Sequence, residues 1–395
     1  MATKQQNNSI AYAMIPFKLL TWPIGVWPLQ VYNHFSLIRW IVATCCLSII
    51  VILPIVELRL GCTDAEKNVD SIMMISCGLL AMLKTIWFRV YANNLTDNHN
   101  SAINDYLTIE DADKCVIMRR HAFVGRMLAC FMICFSYVAS AVFTLVSVLT
   151  DEGTATRNVT IEEATEDYPI PSRCTLEYID MPSSMSKFVR FFEFIVLVLT
   201  STSNHGTDAL FLNITLHVCG QMKILKNDFS NFNVSKSEVR GRFVALIDRH
   251  NHLITMASEL AETISFVLLM QFFVSSILLC IVGFQLILAL KTHNIGMLAK
   301  SAMILCSFLS QLTAYSVVGD YLKSQMEEVG QSIYRSNWYD LPAIVTRNLV
   351  FIMMWDQLPI KFQAGNFIVV NLSTYMSILK TSVSYLSVLR VMVDA

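Results

Sequence analysis

Charge is what this chain has least of. Of its 395 residues only 15% are Asp, Glu, Lys or Arg, and the net charge is −1. A balance that thin excludes the basic surface through which proteins hold nucleic acid. No phosphate-cradling glycine loop and no Gly-x-Ser-x-Gly nucleophile elbow occurs. The 11 cysteines include no Cys-x-x-Cys pair and no zinc-ligand spacing. The 8 histidines are scattered. Glu193, His205 and Asp208 come nearest to a cluster inside an apolar run, and their spacing is not that of a metal site. Enzyme chemistry, a cofactor and a bound metal are therefore not expected. Nor is a cleavable signal peptide, because Met1 to Asn8 is polar and the first long apolar run starts only near Phe35.

What fills the chain instead is apolar. Hydrophobic residues make up 54% of it, and the mean hydropathy is +0.52, the profile of an integral membrane protein. Cys45, Cys46, Cys77, Cys130, Cys134, Cys280 and Cys306 lie within apolar runs, where they act as small hydrophobes. Runs long enough to cross a bilayer as helices fall at about 35–58, 70–91, 125–149, 187–214, 262–290, 296–318 and 365–391. A shorter apolar piece, 343–355, is expected to form a separate helix started by Pro342, with Pro359 and Gly365 breaking it from the last span. The expected fold is all-α with seven transmembrane helices.

The Lys/Arg distribution orients these spans. With the N-terminus cytoplasmic, the inner segments 1–34, 93–124, 216–261 and 319–347 hold 14 basic residues and the outer loops hold 6. The positive-inside rule then puts the N-terminus in and the C-terminus out. The acidic segment 150–186, with its sequon at Asn158, falls outside as a glycosylation candidate. Sequons also fall inside, as at Asn94 and Asn233. Cys62 and Cys174 share the outer, oxidising side, where they could pair. This polarity is the reverse of a G-protein-coupled receptor, and neither a DRY-type triplet nor NPxxY is present. No two halves resemble each other, as the inverted repeats of many transporters do.

The final span carries a stripe of small polar residues, Ser377, Thr381 and Ser384, wasteful against lipid and useful beside water. Here the sequence resembles a known family. Ile378-Leu379-Lys380-Thr381-Ser382-Val383-Ser384-Tyr385-Leu386 is similar to the closing pattern of insect odorant receptors. Gly319-Asp320-Tyr321-Leu322, followed by Ser332, Tyr334 and Trp338-Tyr339, resembles that family's loop after span six. His250-Asn251-His252-Leu253-Ile254, Gln271-Phe272 and Cys280 echo it more weakly. The Ser384-Tyr385 ending and the short second inner loop resemble a ligand-tuned subunit, not the family's co-receptor or a taste receptor. A gustatory-type channel and a secondary transporter are the alternatives.

The resemblance implies a tetrameric, ligand-gated, non-selective cation channel. It is formed with the co-receptor in the plasma membrane of a sensory dendrite and opened by a volatile or apolar small molecule. Residues 1–318 would hold six spans with the odorant pocket in their outer halves. The segments 216–261 and 319–362 would form a cytoplasmic inter-subunit anchor, and 365–391 would line the pore.

Candidate ligand contacts are Met73, Met74 and Cys77 in span two, and Tyr137, Ser140, Phe143, Thr144 and Ser147 in span three. Phe188, Phe191, Phe192 and Ile195 in span four and Met303 in span six complete the set. Ordinary helix packing would use the same residue types. Val388, Val391 and Met392 correspond to the narrow outer end of the family's pore. Lys380, Ser384, Val388 and Met392 recur every four residues and so share a helical face. Asp320, Tyr334, Trp338, Tyr339 and Tyr385 are candidate interface residues.

Lys380 is the odd member, since an ionisable group at membrane depth is costly and a cation path is poorly served by a cation. If Lys380 bears on conduction, Lys380→Gln alters cation permeability or conductance in recordings. Unchanged values would place it off the path.

Overall fold

A computed structural model describes residues 2–62, 64–156, 168–231, 239–336, 338–355, 360–365 and 367–394. Seven helices coincide with the seven expected spans. They are α2 (His34–Leu60), α3 (Ala65–Val90), α5 (Ala112–Thr156), α7 (Ser186–Ser230), α8 (Val239–Thr292), α9 (Ile295–Arg335) and α11 (Leu372–Asp394). Around them lie α1 (Ala2–Thr21), α4 (Ala92–Thr108), α6 (Arg173–Tyr178), α10 (Ala343–Trp355) and a hairpin of β1 (Gln363–Ala364) and β2 (Ile368–Val369). By length and composition α2, α3, α5, α8 and α9 are able to cross a membrane. The other two spans, α7 and α11, are more polar: Asn204, His205 and Asp208 interrupt one, and Lys380 with several Ser and Thr interrupts the other.

Four of these helices overshoot a bilayer. α5 and α7 have 45 residues each, α8 has 54 and α9 has 41. At about 1.5 Å per residue they reach roughly 60–80 Å, twice the hydrocarbon thickness. The C-terminal parts of α7 and α9 and the N-terminal part of α8 carry this surplus as continuous helix through described residues of 216–261 and 319–362.

Two segments expected as inner loops are helices. In α4, the residues Leu95, Asn98, His99, Ala102, Asp105 and Tyr106 are buried at helical spacing. His217 of α7 pairs with Asp105 at 2.9 Å, and Arg249 of α8 reaches the same carboxylate at 2.6 Å. Burial raises the Asp105 pKa and these two partners lower it, with a net downward shift. In α1, Ala13, Met14 and Phe17 are buried, and its C-terminal end packs on Gly206 of α7.

α7 is the axis of the fold. From His205 to Met222 every residue is buried, and α1, α2, α3, α5, α8 and α9 all pack on it. At the opposite end from the long extensions, two buried carboxylates hold the connection before α7. Glu57 of α2 accepts from the backbone N–H of Cys174 (3.0 Å) and Thr175 (2.9 Å), and from the Thr175 hydroxyl. Glu193 of α7 accepts from the Ile170 N–H (3.2 Å) and the Ser172 hydroxyl (2.7 Å). Cys62 and Cys174 are joined by a disulfide across 112 residues. Asn158 lies outside the described residues, as does Pro359.

The last span begins later than the sequence suggests. Residues 363–369 pair as a hairpin, Gln363 with Val369 and Ala364 with Ile368, and α11 starts at Leu372 and not at Gly365. Two caps explain the new boundary. Asn371 Oδ1 accepts the Thr374 N–H at 2.7 Å, and Asp320 Oδ2 accepts the Leu372 N–H at 2.9 Å. The hairpin turn rests on Gly365, whose φ is +59° and whose N–H donates to Ser265 of α8 at 3.1 Å. A Cβ there would lie 2.6 Å from the Leu269 side chain. Gly365→Ala is thus expected to lower stability by about 1–3 kcal/mol, read as a lower thermal midpoint of the purified protein. An unchanged midpoint would mean the turn is not held against α8.

Candidate functional site

Between α3, α5, α7 and α9, with Ile50 of α2 at one side, lies a cavity of about 100 Å³. Its lining is mixed. Ile50, Met73, Met74, Cys77 and Leu80 are joined by Ala139, Phe143, Leu197, Ile304 and Phe308 as its apolar members. Ser136 and Ser140 of α5, Thr200, Ser201, Asn204 and His205 of α7, and Ser307 and Gln311 of α9 are its polar members. A largely apolar space with a few convergent polar groups is the usual form of a small-molecule site. A cavity of about 150 Å³ accommodates benzene, so at about 100 Å³ this one takes a smaller molecule as it stands and widens for a larger one.

Next to the lining residue Gln311 is a fully buried ion pair. Lys84 Nζ of α3 lies 2.8 Å from Asp208 of α7, and both side chains have 0% exposure. Tyr315 donates to Asp208 Oδ1 at 2.6 Å. The Gln311 amide also donates to Asp208, and its own oxygen accepts from Gln271 of α8 at 2.8 Å. A buried charge stands only if paired and hydrogen-bonded, and Asp208 meets both conditions. Through Gln311 the cavity wall is part of the same network that joins α3, α7, α8 and α9.

Met73, Met74, Cys77, Ser140 and Phe143 line the cavity. Tyr137, Thr144, Ser147, Phe188, Phe191, Phe192, Ile195 and Met303 stand outside its lining. Tyr137 bridges to Thr202 at 2.9 Å, a contact between helices. Thr144 and Ser147 donate to carbonyls one turn back in α5. Phe188 (63% exposed) and Phe191 (61%) point away from the bundle, and Phe192 and Ile195 share that face. Met303 is half-buried, one position from the face of α9 that carries Ile304, Ser307, Phe308 and Gln311. Both faces of the outer part of α7 are apolar in sequence, so composition alone left the phase undecided. The signal that marked the inner face was polar: Asn204, His205 and Asp208 inside a span, where an uncompensated polar group is costly.

The last helix packs on α8 and α9 along one face. Ser382 is buried, and Leu386 fills the space beside Gly283 of α8. The other face is free within the single chain: Lys380 and Ser384 are exposed, as are Tyr385 (61%) and Val388 (57%). The side chains of Val391 and Met392 lie outside the described residues. Tyr334 and Tyr339 are 69% and 67% exposed. Trp338 is half-buried, edge-on to Tyr339 with ring centroids 6.3 Å apart. Asp320 has a role within the chain as the cap of α11.

The ion pair generates a double-variant test. Lys84→Met leaves Asp208 charged and buried, with an expected loss of about 3–5 kcal/mol in thermal or denaturant unfolding. Adding Asp208→Asn should recover a large part of it. A Lys84→Met protein of full stability would mean that the pair does not carry charge.

Comparisons with known proteins place these features. A family profile described as 7tm Odorant receptor matches residues 64–383. Odorant receptor 13a of Drosophila melanogaster is 26% identical over 244 residues, covering 57% of this chain and 58% of that protein. Odorant receptor 9a of the same fly is 28% identical over 186 residues, covering 46% of each. The chain thus spans about half the length of these relatives in the matched segments. The structure of the insect olfactory receptor OR5 from Machilis hrabei in complex with eugenol matches with a TM-score of 0.77 at 16% identity, covering 97% of this chain and 100% of that one. A second structure of that receptor gives 0.78 at 15% identity, covering 95% and 97%. At such identity the likeness concerns the fold.

Proposed function

This chain belongs to the insect odorant receptor family and is a multi-pass membrane protein, and on that premise we propose that it is a ligand-tuned subunit of an odorant-gated cation channel. The observation that carries the reading is the cavity between α3, α5, α7 and α9, largely apolar with several polar groups in its lining. The eugenol complex of a receptor with the same fold supports a small molecule as the ligand.

In this reading the odorant enters the cavity and alters the packing of its walls. Gln311 faces the ligand and is bonded to Asp208 and, through its oxygen, to Gln271 of α8. Because α8 and α9 are the helices on which α11 rests, a displacement at Gln311 has a physical route to the last helix. The face of α11 that bears Lys380, Ser384 and Val388 lines the pore, with Val391 and Met392 nearer its outer end. Apolar side chains there stop ions by leaving no room for their hydration shells. The exposure of that face in a single chain supports assembly around it, in a tetramer with the co-receptor. The long ends of α7, α8 and α9 then form the cytoplasmic anchor, with Tyr334, Trp338, Tyr339 and Tyr385 at subunit contacts. The N-terminus is cytoplasmic and the C-terminus extracellular, in the plasma membrane.

Whole-cell recording tests this directly. With the co-receptor present, a broad odorant panel is expected to evoke cation current. Ala139→Trp, which fills the cavity, should abolish that current while surface expression persists. Val388→Ala should raise the basal leak. Full odorant response in the Ala139→Trp channel would overturn the cavity as the ligand site.

A further inference from the structure

The polar residues of the cavity lining are specific about what they leave unbonded. Asn204 of α7 donates its side-chain Nδ2 to the Cys77 carbonyl of α3 at 3.1 Å. That bond orients the amide and leaves Oδ1 as an acceptor on a residue lining the cavity. Among the described residues, nothing donates to it.

Ser307 of α9 meets His205 Nε2 at 3.1 Å, while His205 Nδ1 is buried with no partner. If Nδ1 carried the ring proton, a buried donor would go unpaired, the costlier orphan. The proton therefore belongs on Nε2, and the Ser307 oxygen accepts it. The Ser307 hydroxyl proton then has no acceptor among the described residues.

Of the other polar lining groups, the Ser136 hydroxyl has no partner among the described residues, and most of the rest are occupied. Thr200 donates to the Val196 carbonyl at 2.8 Å, and Ser140 meets Ser201 at 3.0 Å. No Asp, Glu, Lys or Arg lines the cavity. The nearest charges, Lys84 and Asp208, neutralise each other at 2.8 Å. A charged ligand would lose its hydration with no counter-ion to replace it.

We propose that the cavity takes a neutral small molecule bearing a hydroxyl group, which donates to Asn204 Oδ1 and accepts from the Ser307 hydroxyl, with its apolar body against Met73, Met74 and Phe143. A hydroxyl is both donor and acceptor and satisfies both open groups. An ether or carbonyl satisfies only Ser307, and a hydrocarbon satisfies neither. This rests on the cavity being the ligand site.

The test uses probes of one shape on the purified full chain, scored by the shift in thermal midpoint against free aqueous concentration. They are 4-methylphenol, 4-methylanisole, para-xylene, 4-methylbenzoate and 4-methylbenzylammonium. 4-Methylphenol is expected to half-saturate at about tenfold lower concentration than para-xylene, which is what one net hydrogen bond contributes, with the anisole between and both ions weakest. Ser307→Ala and Asn204→Leu should each reduce the phenol-to-xylene ratio, whatever either does to para-xylene alone. Since the ranking is read first on the unaltered chain, a variant that fails to fold does not remove the test. Equal half-saturation by phenol and xylene, or preference for an ion, would overturn hydroxyl recognition while leaving the cavity as a ligand site. No shift with any probe up to its solubility limit would overturn the cavity itself.

Discussion

A lysine and an aspartate with no exposure to solvent hold the middle of this bundle together. Removing either charge from water costs several kcal/mol, and only close pairing with further hydrogen bonds offsets that. Asp208 therefore dictates what surrounds it: Lys84 from α3, Tyr315 and Gln311 from α9, and, through Gln311, Gln271 from α8. Apolar helices in lipid gain little by choosing one neighbour over another. A network satisfied in one arrangement supplies that choice. It also sets the floor of the cavity, because Gln311 belongs to both.

The same physics recurs at the disulfide end. Glu57 and Glu193 are buried at the ends of α2 and α7, and each is satisfied by backbone and hydroxyl donors from the connection that precedes α7. That connection is thereby drawn over the bundle, and the Cys62–Cys174 bond ties it to the residue just past Gly61. Towards the other end, Asp105 receives His217 and Arg249 and fastens α4 beneath the spans. At three depths a carboxylate with no other recourse gathers the helices around it. α11 is the exception. It is held along one face by apolar contact and at its start by Asp320, and its other face meets nothing among the described residues.

How far the sequence could be read depended on the kind of signal. The seven spans were legible because about twenty apolar residues in a row have few other uses. The last boundary was misjudged because the apolar run through Phe367, Ile368 and Val369 hides a hairpin, whose turn depends on Ser265 a hundred residues earlier. Met73, Met74 and Cys77 belong to the cavity, yet Phe188 and Phe191 turn away from it. An aromatic side chain is equally at home against lipid and against a ligand, and nothing local distinguishes the two. Asn204 and His205 were the better guides, since a polar side chain inside a span has to face protein or a cavity.

The sequence by itself determined that this chain lies in a membrane, how many times it crosses, and which family it resembles. Those properties follow from hydropathy summed over long windows and from a contiguous C-terminal motif, and both survive without knowledge of contacts. Only the tertiary structure decided which face of each helix looks inward, that Lys84 answers Asp208, and that Asn204 and Ser307 reach the cavity with bonds still open. Helical phase and pairing are set by partners far away in the chain, 124 residues in the case of Lys84 and Asp208. A local pattern carries no record of a partner at that distance.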